Sequence, residues 1–150
     1  MSPLLPRPLP LAGLAWLTGF RRVPENTVVT KHRFGRFVAA LGPGWHWTVP
    51  GLDQLGSPVC LIGHHLDVPA DSGAHAELYY QILDPAQAGE ALDRVDALVL
   101  DQARDALASL QSLADATRPL AEALKAELNR RVGKLGLRVI RCSVQGLQGA

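Results

Sequence analysis

Cysteine is scarce: Cys60 and Cys142 are the two thiols in 150 residues. That excludes a disulfide-stapled scaffold and makes a reducing compartment the default. Charged residues are also few, at 19% against 47% apolar, which fits neither a disordered tail nor a coiled-coil rod. Neither sign dominates. The net charge is +1, too little for a dense phosphate-binding surface, so nucleic acid is not expected as a partner. Long apolar runs are missing too. The uncharged stretch around Trp16, Leu9 to Phe20, has 12 residues. As a helix it would reach about 18 Å, short of a bilayer core of about 30 Å. Catalytic signatures are absent as well: there is no Gly-x-Ser-x-Gly, no phosphate-cradling glycine loop and no His-Glu-x-x-His. Each of those chemistries needs its nucleophile, anion cradle or metal ligands at fixed spacing. The expectation is a non-enzymatic protein without a cofactor or metal.

What is present is one domain's length of chain, enough for one hydrophobic core. Fourteen glycines and eleven prolines call for many turns and therefore some strand. Charge is distributed in blocks. Residues 1–50 carry six basic residues against one acidic, residues 51–117 two against eleven, and residues 118–150 seven against two. A basic front end suits an anionic surface; equally, the acidic middle can pack beside the basic ends.

Pro3, Pro6, Pro8 and Pro10 forbid a regular helix at the start, and Arg7 makes residues 1–20 a poor signal peptide. An interfacial anchor fits better. Leu11, Leu14, Trp16, Leu17 and Phe20 would sit at headgroup depth, with Arg21 and Arg22 in the anionic zone. The alternative is a greasy terminus folded onto the domain.

Val28 to Phe37 is β-branched and aromatic and reads as strand, with Gly35 marking a bulge or turn. Pro43 and Gly44, following Gly42, suit the centre of a type II turn, whose third residue needs positive φ. Trp45 to Val49 alternates as a strand, with His46 on the opposite face from the two tryptophans. Val59 to Val68 and Glu77 to Leu83 are further strands, separated by a loop from Pro69 to Ala74. The period then changes. Asp84 is an N-cap, Pro85 the first helical residue and Gln87 the third residue after the cap. This short helix stops near Leu92. A second runs from about Arg94 to Leu110 on the stripe Val95, Leu98, Val99, Ala103, Ala106, Leu107, Leu110. Arg104 on that helix is expected to be tied to a neighbouring acid or a loop carbonyl. A third, from near Thr117, carries Leu120, Leu124, Leu128, Val132 and Leu135, and Gly136 closes it. Leu137 to Gln145 is the last strand, and its phase slips between Val139 and Ile140, which signals a β-bulge. Strands, then helices, then one strand make an α+β domain.

Cys60, His64, His65 and His75 can be drawn as a zinc site. Neighbours on a strand point to opposite faces, however, so His64 and His65 do not both ligate. Both cysteines lie in strand patterns and read as small buried apolar residues rather than nucleophiles.

Several segments taken in order resemble one family. Val23-Pro24-Glu25-Asn26-Thr27-Val28-Val29, Arg33-Phe34-Gly35-Arg36 and Leu41-Gly42-Pro43-Gly44-Trp45-His46-Trp47-Thr48-Val49-Pro50 resemble the opening of the stomatin/prohibitin/flotillin (SPFH, Band 7) domain. Leu66 to Pro69, Leu78 to Ile82 with Asp84-Pro85, Ala103 to Leu107 around Arg104, and Leu135 to Val139 around Gly136 continue the likeness. It covers residues 20–147. Leu17-Thr18-Gly19-Phe20 is similar to the membrane-helix exit of the HflK/HflC branch, which regulates a membrane-bound protease. The resemblance implies a non-enzymatic, membrane-associated scaffold or regulator over residues 21–147. Its implied partners are a lipid surface, another SPFH/Band 7 protein or a membrane protease, with the side of the membrane left open. Between Val68 and Leu78 the family has a further strand, and here only Pro69 to Glu77 remain, so the resemblance implies an unpaired sheet edge. The family's long ring-building helix would follow Gln145, and Gly146 to Ala150 do not supply it. A small homo-oligomer is therefore expected rather than a large ring. The alternative function is a soluble protein-binding module that has lost membrane association.

Overall fold

Strand β2 (Thr27–Arg33) organises the front half of the molecule. In this computed structural model, which describes residues 18–69, 73, 75–112 and 119–145, β2 pairs antiparallel with β3 (Arg36–Leu41) along one edge. Along its other edge it pairs with β5 (Asp53–Leu55) and β6 (Val59–Cys60). The β2–β3 connection has two residues, Phe34 and Gly35, with φ of 52° and 73°. Two consecutive positive φ values are what a tight hairpin needs to match the strand twist, so Gly35 is the turn residue the sequence suggests. Strands β1 (Phe20–Val23) and β4 (Gly44–Trp47) form a separate two-stranded ribbon. Gly44, at φ 123°, has the positive value expected of it and also opens β4 opposite Val23.

The back half is a three-stranded antiparallel sheet in the order β7 (His64–Pro69), β8 (His75–Ile82), β9 (Leu137–Gln145). Helices α2 (Val95–Ser112) and α3 (Leu120–Val132) complete this half, α2 contacting β7 and α3 lying along β9. Short helix α1 (Pro85–Ala88) and a 3-10 turn over Gly89–Arg94 lead into α2. The Asp84 carboxylate accepts from the backbone N–H of Ala86 and Gln87, as the Asp-Pro start predicts. The core contains Leu78, Tyr80 and Ile82 of β8, with Val99, Ala103 and Leu107 of α2 and Leu124, Leu128 and Val132 of α3. Val28 of β2 joins the same cluster. Each fully buried leucine here stabilises the fold by roughly 1.5–3 kcal/mol relative to exposure.

The α+β class is as expected, and so are β9's limits and its slip. Tyr79 pairs with Arg141 and Tyr80 with Val139, leaving Ile140 as the extra residue. Asn129 of α3 holds the backbone beside this bulge, accepting from Val139 N–H at 2.8 Å and donating to its carbonyl at 3.3 Å. Gly136 is left-handed at φ 70°; a Cβ there would collide with the Asp84 carbonyl.

Four expectations need correction. Val59 to Val68 is not one strand: Leu61 donates its N–H to the Asn26 carbonyl and its own carbonyl accepts from Ile82 N–H, Gly63 takes φ 82°, and the run breaks into β6 and β7. Pro69 belongs to β7 rather than to the following loop. Cys60 is exposed, because β6 is only two residues long and leaves its side chain uncovered. Arg104 points to solvent on α2 beside Asp101 and Asp105. No ion pair or hydrogen bond joins it to another described residue. Thr117 and the loop residues Ala70, Asp71, Ser72 and Ala74 lie outside the described residues.

Candidate functional site

The β1–β4 ribbon carries the feature that stands out. Its register places Phe20 opposite Trp47, Arg21 opposite His46 and Arg22 opposite Trp45. Alternation then puts Phe20, Arg22, Trp45 and Trp47 on one face and Arg21, Val23 and His46 on the other. The second face is turned inward: Val23 is buried, and the His46 ring is half-buried, with Nε2 2.7 Å from the Gly42 carbonyl. The first face is open, with Phe20 50%, Trp45 67% and Trp47 57% exposed. Large aromatic groups left together in solvent forgo the gain of burial, and such patches mark surfaces that meet something apolar. Arg22 stands among them, exposed and without an ion-pair partner among the described residues.

The ribbon is fastened at its open end. Thr48 donates both its backbone N–H (2.7 Å) and its hydroxyl (2.9 Å) to the Gly19 carbonyl. The chain then turns through Pro50-Gly51 into β5, where Asp53 gathers the neighbourhood. Its fully shielded carboxylate accepts from Lys31 at 2.9 Å, from Arg33 Nε at 2.8 Å and from Val49 N–H at 2.8 Å. Arg33 first, then the Val49 amide and Lys31, hold the Asp53 carboxyl well below the usual carboxylate range. This clamp joins β2 to β5 and so draws together the residues beside it. Phe34, 79% exposed, follows Arg33, and exposed Leu52 precedes Asp53. Exposed apolar side chains thus also stand at the β2–β3 hairpin tip and just before β5.

Of the expected contact residues, Phe20, Arg21 and Arg22 lie on β1, but only Phe20 and Arg22 face outward. Leu11, Leu14, Trp16 and Leu17 lie outside the described residues. Gly42, Pro43 and Gly44 form the turn that feeds β4, while Gly136 and Arg104 are remote from the ribbon in the back half. The exposure of Trp45 and Trp47 is not among the expectations from the sequence. Their alternation is legible, but which face is outward depends on pairing with a strand over twenty residues away.

A second polar cluster sits where β7 meets the start of α2. Tyr80 donates its hydroxyl to Asp96, and burial, followed by that carboxylate, pushes the phenol above its ordinary range. The His64 ring stacks on Tyr80, with Nδ1 3.1 Å from Asp96 and Nε2 2.6 Å from the Cys60 carbonyl. His65 stacks on Tyr79 on the opposite face of the sheet. The two rings thus point apart, as strand geometry requires. Among the described residues no group of three His, Cys, Asp or Glu side chains could hold a metal ion, and no helix is long and apolar enough to cross a membrane. No model of a known protein family matches this chain, and no curated protein matches it.

Proposed function

We propose that this protein is a non-enzymatic, membrane-associated scaffold or regulator of the SPFH/Band 7 type, related to the HflK/HflC branch. It meets the lipid surface through the β1–β4 ribbon and the apolar segment that precedes it. The observation that supports this reading is the outward face of Phe20, Trp45 and Trp47 around Arg22. Indole and phenyl rings with an adjacent arginine suit the membrane–water interface, where one side of the group is apolar and the other wet. The partner protein is a longer family member or a membrane protease. β7 has a strand on one side only among the described residues, and such a partner would cap its free edge.

Vesicle co-sedimentation of the full chain tests this. Wild type binds vesicles containing phosphatidylglycerol, and Trp45→Ser with Trp47→Ser weakens binding by roughly tenfold or more, since two exposed rings that would be buried in the interface are removed. A wild-type protein that ignores anionic vesicles favours the soluble protein-binding module instead.

A further inference from the structure

The three-stranded back sheet has two outer edges, and they differ. On β9 the edge is taken at Val139, whose N–H and carbonyl are both bonded to the Asn129 side chain, and the Ile140 bulge interrupts the ladder beside it. On β7, among the described residues, no backbone N–H or carbonyl from His64 to Pro69 is hydrogen-bonded outside the sheet. An open row of such groups is a template for another strand. The side chains along β7 say which strand. Leu66 lies on the core face opposite fully buried Leu78, yet is itself only half-buried. On the other face exposed Asp67 stands directly opposite Glu77 of β8. Like charges so placed repel, and exposed His75, 3.9 Å away, offsets this little. His65 is exposed on the same face as Asp67, its ring held against Tyr79. In sequence, β7 therefore offers a donor, an apolar group and a carboxylate, a set complementary to itself when reversed.

Reversal also fixes a register, because residues directly opposite in an antiparallel pair share a face. A two-fold axis at Leu66 sets that leucine against its own copy and sets His65 against the second copy's Asp67, twice, with pairing from His64 to Val68. The leucine pair closes the core side of the edge. On the other side an imidazole N–H donates to a carboxylate, which the ring does in either protonation state. An axis at Asp67 instead sets carboxylate against carboxylate and brings Pro69, which has no N–H, into the ladder. An axis at His65 shortens the paired stretch to His64–Leu66. We infer that β7 is a self-association edge, at which two copies of this chain pair antiparallel about a two-fold axis at Leu66. The longer family member proposed above would take the same edge; the second copy takes it when the chain is alone, and the inference does not depend on the membrane reading.

Sedimentation equilibrium of the full chain in solution, without vesicles, is the test. A strand edge this short buries less than a standard interface of ~1,600 Å², so a monomer–dimer equilibrium with a dissociation constant on the order of 10–100 μM is expected. His65→Asp sets carboxylate against carboxylate twice and is expected to weaken the dimer roughly tenfold. His65→Asp combined with Asp67→Lys puts opposite charges back across the same register. It is expected to associate at least as tightly as wild type, which also guards against a folding defect in the single variant. Wild type that stays monomeric about tenfold above that concentration range overturns the inference and leaves the edge to the proposed partner. A dimer that His65→Asp leaves unchanged, or that the double variant does not restore, overturns the β7 pairing. Neither result bears on vesicle binding, so failure here and failure of the membrane reading are told apart.

Discussion

Asp53 and Glu127 set the acid behaviour of individual residues. Arg33 holds the Asp53 carboxyl far below its ordinary value, and Arg130 first, then Arg131, lower Glu127 from 4.5 to about 2. Both groups are depressed in the folded state, so each contributes stability that is present above its ordinary pKa and lost as pH falls through the folded value. For Glu127 the loss runs from about pH 4.5 to about pH 2. Asp53 continues to lose its contribution below that. The melting temperature is therefore expected to fall with acidification below pH 4.5, and Asp53→Asn is expected to lower it at neutral pH and flatten that part of the profile. Thermal melts across the acid range check this. The thiols differ in the other direction. Burial pushes Cys142 up to about 11, so it carries little thiolate at neutral pH, while Cys60 is exposed. Maleimide labelling at neutral pH is expected to proceed in two phases, Cys60 first, with Cys142 modified far more slowly. Cys60 was misread from the sequence because a strand pattern does not reveal how short the strand is or what covers it.

At the scale of elements, the features legible in the sequence are the local ones. Asp84-Pro85 caps α1, Gly136 ends the third helical segment, and the Val139–Ile140 slip is a bulge, because each depends on residues within one turn or one strand. The split of β6 from β7 was not legible. It follows from Leu61 bonding to Asn26 and Ile82, contacts a single run of sequence does not contain. The outward face of Trp45 and Trp47 was hidden for the same reason, since β4's partner is β1. Two glycines separate strain from crowding. At Gly44 a Cβ would meet nothing within 4 Å, so only its φ of 123° opposes substitution. At Gly136 the left-handed φ and a collision with the Asp84 carbonyl act together. Gly44→Ala is expected to cost about 1–2 kcal/mol and Gly136→Ala about 3 kcal/mol or more. Urea denaturation of the two variants checks the order; equal losses would show that the Asp84 contact yields freely.

Across the whole molecule the two halves have different tasks. The back half buries Tyr80, Leu78 and the helix stripes in one core, and its chemistry is internal. The front half exposes aromatic rings beside arginines at the end where the chain enters from residues 1–17. Arg21 and Arg22 carry positive charge at that end, and the acidic block of residues 51–117 includes Asp96 and Asp101 on α2, in the back half. An anionic surface would therefore orient the protein with the ribbon toward it. In the proposed orientation Trp45 and Trp47 lie at the membrane interface. The most direct measurement is tryptophan emission in a Trp16→Phe background, where those two indoles are the only ones remaining, with phosphatidylglycerol vesicles carrying brominated acyl chains. A blue shift and quenching are expected on vesicle binding. Vesicle-bound protein whose emission neither shifts nor is quenched would contradict that orientation.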